Sequence, residues 1–112
     1  MSLSKPSDYI RFAYNDIEKS YDELSEDSWL KKSIKRAIEN IRENVFCGEP
    51  IKKSQIPKKY IKEHSIDNLW WYPLPNGWRL VYSIISVDRI KILALIVEFF
   101  DHKDYERRFG YG

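Results

Sequence analysis

The feature that most constrains this chain is a turn signal set between two strand-like runs. Pro75-Asn76-Gly77 separates Asn68–Pro73 from Trp78–Val87. Asn-Gly accepts the positive φ that a tight hairpin needs, so the two runs are expected to pair antiparallel. The second run alternates. Trp78, Leu80, Tyr82 and Ile84 point one way, and Arg79, Val81, Ser83 and Ile85 the other. A further turn is expected at Val87-Asp88-Arg89. Ile90–Phe100 is apolar almost throughout, which suits a strand buried on both faces at the centre of a sheet. Two or three consecutive strands followed by a short polar tail therefore organise the C-terminal part of the chain.

What precedes them reads as helices supplied to cover one face of that sheet. Leu30, Ile34, Ala37, Ile38, Ile41 and Val45 recur at three- and four-residue steps, so Trp29–Phe46 is an amphipathic helix with Gly48 as its stop. Asp16–Leu24 is helical as well, and the two helices should form an antiparallel hairpin. The residues before it are open to two readings. Ile10, Ala13, Tyr14, Ile17, Tyr21 and Leu24 fit one helical stripe. Asn15-Asp16-Ile17-Glu18 instead resembles a capping box, which frees Tyr9–Ala13 to be a short strand beside Ile90–Phe100. Glu49–Gln55 reads as a loop, and Pro57–His64 as a short helix opened by proline. The expected fold class is α+β, in two layers.

At 112 residues the chain suits one domain with one core. Its longest apolar run, Ile92–Val97, is too short to cross a bilayer. No charged segment followed by an apolar one opens the sequence, so no signal peptide is expected, and cytoplasm is the expected compartment. Cys47 is the only cysteine and there are two histidines, so neither a disulfide within the chain nor a metal site is expected. No cofactor motif is present. The net charge of +2 conceals an asymmetry: residues 1–30 carry 3 basic and 7 acidic side chains, residues 31–64 carry 10 and 4, and the remainder 6 of each. A middle segment this basic attracts phosphate; it equally describes a solvated helix face and a Lys-rich loop.

Three positions invite chemistry. Arg79 lies in a strand among Trp78, Leu80 and Val81, where a charge needs a partner or the sheet surface. Its planar fork suits a phosphate, and a pairing with Glu98 on the next strand accounts for it as well. In the tail, His102 can exchange protons near neutral pH, and Tyr105 can donate a hydrogen bond or a proton. Arg107 and Arg108 can hold phosphates. The alternative there is a short helix in which Tyr105 and Phe109, four residues apart, pack together. The aromatic cluster Trp70, Trp71, Tyr72, Trp78 and Tyr82 suits base stacking or simply sheet packing.

These residues carry a resemblance. Asn68-Leu69-Trp70, Leu74-Pro75-Asn76-Gly77-Trp78-Arg79-Leu80-Val81-Tyr82 and His102-Lys103-Asp104-Tyr105-Glu106 are similar to the RelE/ParE superfamily of toxins from type II toxin–antitoxin modules. The similarity spans roughly residues 9–110. It implies an N-terminal strand at Tyr9–Ala13, then a helical hairpin, then an antiparallel sheet with a cleft. For RelE-like members it implies metal-independent cleavage of mRNA on the ribosome and neutralisation by an antitoxin protein. It puts Arg79 on the scissile phosphate and His102 and Tyr105 in proton transfer or stacking, with Glu98 a weaker candidate base. Lys52, Lys53, Lys58 and Lys59, with Arg107 and Arg108, would bind RNA. The ParE branch shares the fold and poisons DNA gyrase, so the resemblance also implies a non-enzymatic alternative. The chain departs from the strongest ribosome-dependent members in being far less basic.

Overall fold

Why a chain with so few glycines turns where it does is clearest at the central hairpin. In the computed structural model, which describes residues 5–87 and 91–109 without the side chains of His64 and Arg108, Asn76 and Gly77 both take left-handed backbone, with φ of 60° and 77°. The 3₁₀ turn Pro75–Gly77 closes on a hydrogen bond from the Leu74 amide to the Trp78 carbonyl. It joins β3 (Leu69–Pro73) to β4 (Arg79–Ser86), which pair antiparallel with Pro73 opposite Arg79. β4 pairs in turn with β5 (Ile92–Phe100). The turn expected at Val87-Asp88-Arg89 lies beyond the described residues from Asp88 onward.

The ambiguous N-terminal segment is a strand. β1 (Tyr9–Phe12) adds to β5, Tyr9 opposite Leu93, and runs parallel to it. The sheet is thus mixed, in the order β1-β5-β4-β3-β2. The fifth strand, β2 (Glu49–Ile51), corrects the expectation of a loop over Glu49–Gln55. Only three residues long and containing Pro50, it has no periodicity to read; pairing with β3 makes it a strand.

α1 (Asn15–Asp22) begins where the capping box suggested, but no box forms. Asn15 is the first helical residue, and the N-cap position, Tyr14, makes no capping hydrogen bond to the helix through its side chain. α2 (Trp29–Glu43) is capped by Ser28, whose hydroxyl accepts from the Lys31 amide. α2 ends short of Gly48, which meets a different demand: a Cβ there would stand 2.6 Å from the Trp71 carbonyl and 2.8 Å from the Tyr82 hydroxyl. That hydroxyl accepts from the Gly48 amide and donates to the Val45 carbonyl, so glycine lets the loop close on the sheet. α3 (Lys58–His64) follows Pro57, which serves as its cap. α4 (His102–Phe109) replaces the polar tail with a helix.

Helices cover both faces of the sheet. On the first, Leu30, Ile34, Ala37 and Ile41 of α2 pack with Val45 on Leu80, Tyr82, Ala94 and Ile96. On the second, Tyr60 of α3 and Tyr105 and Phe109 of α4 join Leu69, Val81, Leu95, Val97 and Phe100. The expected single covered face is therefore one of two. Alternation along β4 holds as read, with Leu80 and Tyr82 on the first face and Val81 on the second, across a register shift between Val81 and Tyr82. Each fully buried Leu or Ile contributes about 1.5–3 kcal/mol, so neither layer is dispensable. Among the described residues no helix is long and apolar enough to cross a membrane.

Candidate functional site

The second face carries the functional groups. Arg79 opens β4 directly after the left-handed turn, between Pro73 on β3 and Phe100 on β5. Trp71 precedes Pro73 by two residues and so shares Arg79's face of the sheet. α4 leaves the end of β5 and lays Tyr105 back over the same corner. The guanidinium is caught between the two rings, 4.1 Å from the Trp71 centroid and 4.3 Å from that of Tyr105. Such contacts contribute about 0.5–2 kcal/mol each, more as water is excluded. Among the described residues no hydrogen bond or ion pair reaches the Arg79 side chain. Pairing with Glu98, the alternative reading of this arginine, does not occur. The rings fix the plane of the fork and leave its donors for an anion from outside.

Tyr105 is a buried residue, packed on Trp71, Phe100 and Phe109 with ring centroids 6.5, 5.8 and 4.8 Å away. The helix expected as the alternative for the tail is what forms, and its Tyr105–Phe109 pair is the docking face. Tyr105 thus reaches the site as a ring that positions Arg79. His102 begins the same helix at the same corner, close to the turn: a Cβ on Gly77 would lie 3.3 Å from its Cβ. Its imidazole is half exposed, with Nε2 2.6 Å from the Glu106 carboxylate one turn on. Glu106 therefore orients this imidazole.

The lysines do not converge on the arginine. Lys52 and Lys53 are exposed just after β2, and Lys58 and Lys59 are exposed on the first turn of α3. No contact with Arg79 brings any of the four into the clamp. Lys59 is used differently, its ammonium 5.2 Å from the Tyr60 ring and 6.0 Å from that of Tyr14. Arg107 is exposed and 3.5 Å from Asp104; the Arg108 side chain lies outside the described residues. Glu98 faces α3, where its Oε2 accepts a 2.7 Å hydrogen bond from the Tyr60 hydroxyl. Beside it, burial and then the hydrogen bond and charge of Glu63 push the Tyr14 phenol up to about 12.

Sequence reasoning singled out Arg79, Tyr105 and His102, and named Trp71 only within the aromatic cluster; it did not give the contacts that Trp71 and Glu106 make with them. Both were within reach. The hairpin register puts Trp71 on Arg79's face, and Glu106 stands four residues after His102 on a helix.

An α+β domain with a ring-clamped arginine on one sheet face is the class that fold and geometry define. No family model matches this chain, and no curated protein or solved structure matches it either.

Proposed function

We propose that this chain is the toxin of a type II toxin–antitoxin module, acting as a ribosome-dependent, metal-independent mRNA endoribonuclease. The observation that carries the reading is Arg79. It is a planar cation held between the Trp71 and Tyr105 rings, and among the described residues no carboxylate pairs with it. A phosphodiester offers the matching bidentate acceptor. The element order, a strand, two helices and a sheet built largely of later strands, supports the RelE-like reading.

The reaction would use the RNA's own 2′-hydroxyl. That oxygen attacks phosphorus, its proton passes to a base, and the 5′-oxygen leaves with a proton from an acid, giving a 2′,3′-cyclic phosphate and a 5′-hydroxyl end. Arg79 stabilises the charge that builds on the non-bridging oxygens. His102, oriented by Glu106, is the proton-transfer group. Tyr105 keeps Arg79 in place. The ribosome with its mRNA and an antitoxin protein are the partners this reading requires.

One observation favours a second reading, a ParE-like or inactive relative that binds an antitoxin, or gyrase, without cutting RNA. The imidazole is already engaged by Glu106 and Tyr105 is buried, so only Arg79 is presented. Expression in a bacterial host with sequencing of transcript 5′ ends separates the two. Cuts confined to translated messages, abolished by Arg79→Ala and His102→Ala in folded protein, are expected. Growth arrest with intact messages would favour the second reading, and full toxicity of both variants would remove the site.

A further inference from the structure

β3 stops short of the strand beside it, and one side chain stands in for part of what is missing. β4 runs on to Ser86, but the chain before Leu69 peels away from it. Ser65 ends α3 in left-handed backbone at φ 54°, and Ile66 is buried in the second core. Asn68 comes two residues before Trp70, which pairs with Tyr82, and so falls opposite Ile84. Its carboxamide bonds the backbone of that residue twice. Oδ1 accepts from the Ile84 amide at 2.9 Å, and Nδ2 donates to the Ile84 carbonyl at 2.8 Å. A side chain thus extends the β3–β4 ladder by one position.

Nothing extends it to the next. Ser86 stands opposite Ile92. Ile92 turns its own amide and carbonyl to the β1 side, where they meet Asp8 and Ser7. The Ser86 N–H and C=O therefore point away from β5, toward the place β3 has left. Among the described residues neither has a partner. A hollow of about 450 Å³ wraps this edge, between Ser65, Asp67 and Asn68 on one side and Ile84, Ile85 and Ser86 on the other. Ligand sites run from ~300 to ~1,000 Å³. Ile84 and Ile85 are half-buried against opposite cores, and Val87 just beyond is 53 % exposed. Asp67 is the one charged residue of the lining. Its carboxylate accepts from Asn68 Nδ2 and forms no ion pair among the described residues.

We propose that β4 from Ile84 to Ser86 is a docking edge for an extended, basic segment of a partner protein, and that Asn68 holds the Ile84 position until that segment displaces it. Laid antiparallel, the incoming strand exchanges two hydrogen bonds with Ile84 and two with Ser86, in place of the two that Asn68 makes. Sheet edges recruit peptides in this way, main-chain bonds giving affinity and alternate side chains specificity. β-Branched residues on the strand cover Ile84 on one face and Ile85 on the other. A flanking lysine meets Asp67. Arg79 opens β4 and Ser86 ends it, about 23 Å away at ~3.3 Å per residue, so this edge is independent of the Arg79 clamp.

The test is titration of the ¹⁵N-labelled full chain with the peptide acetyl-Lys-Val-Thr-Val-Lys-amide, followed by NMR. The expected result is a shift of the Ile84 and Ser86 amides, with hydrogen exchange at Ser86 slowed by about tenfold or more at saturation. N-methylation of the peptide at Val, Thr and Val abolishes binding, because it removes the main-chain donors. Glutamate in place of both lysines weakens binding about threefold, and Asp67→Asn narrows that gap. Asn68→Ala opens the Ile84 edge beforehand and so binds the peptide about tenfold tighter than wild type, the equivalent of two hydrogen bonds that no longer have to be broken. Weaker binding by a folded Asn68→Ala chain overturns the placeholder. The peptide arms on the wild-type chain decide the edge even where that variant fails to fold. Full-strength binding of the N-methylated peptide, or no shift at Ser86 with millimolar peptide, overturns the docking edge. Ser86 exchange that slows with protein concentration alone assigns the edge to a second copy of this chain and overturns the peptide as its occupant.

Discussion

The guanidinium of Arg79 lies between two rings, those of Trp71 and Tyr105. Tyr105 is buried against Phe100 and Phe109 and presents its ring face to Arg79. On the proposed nuclease reading, Tyr105→Phe should keep RNA affinity and cleavage within about twofold, whereas Tyr105→Ala should lower them by about 5- to 30-fold, the equivalent of one partly desolvated cation–ring contact. Melting temperatures of both variants separate loss of the clamp from loss of the fold. A Tyr105→Phe variant as impaired as Tyr105→Ala would assign the hydroxyl to the chemistry instead. Much of this corner was legible in the sequence. A charge in an alternating strand marked Arg79, and the four-residue spacing marked Tyr105 and Phe109. The missing information was directional, since nothing in residues 101–109 says over which face of the sheet α4 folds back.

Among the elements, the junction of α1 and α2 is held by one clip. Lys31 is only 5 % exposed, yet its ammonium donates to the Asp22 and Leu24 carbonyls at the end of α1 and lies 2.6 Å from Glu26. Lys35 reaches the same carboxylate at 2.7 Å. Hydrogen bonds from Lys31 and Lys35, followed by their charges, hold the Glu26 carboxyl down from 4.5 to about 2. A depressed folded-state pKa stabilises the fold above the unfolded value and loses that contribution as pH falls through the folded one. Urea titrations between pH 4.5 and 2 should therefore show wild type losing stability more steeply than Glu26→Gln, with parallel curves above that window. The clip was invisible beforehand because Lys31 reads as part of a solvated face. β1 was ambiguous for a related reason: Ile10, Ala13 and Tyr14 continue the stripe of α1, and only the non-local pairing with β5 makes the segment extended. The strand pairings of β1 and β2 are tertiary facts, while α2 and the β3–β4 hairpin are local ones, which is why the latter could be read directly.

At the scale of the molecule, the two layers of core share their middle strands. Ala94 and Ile96 of β5 belong to the first, and Leu95 and Val97 to the second. β4 divides likewise between Leu80 and Val81. Neither layer can melt without releasing strands that the other needs, and β1 ties the start of the described chain to the strand nearest its end. One cooperative transition is expected, with circular dichroism and tryptophan fluorescence giving the same midpoint. The fluorescence is a fair witness, because Trp70 packs on the first layer and Trp71 on the second. Ile41→Ala on the buried face of α2 and Leu69→Ala on β3 should each cost about 2–5 kcal/mol. Because they lie on opposite faces, their effects should add to within about 0.5 kcal/mol. Both should shift the urea midpoint while leaving the slope unchanged. A Leu69→Ala protein whose fluorescence transition precedes its loss of helix would instead show the Arg79 face opening by itself, and the clamp would then form on a layer less stable than the rest.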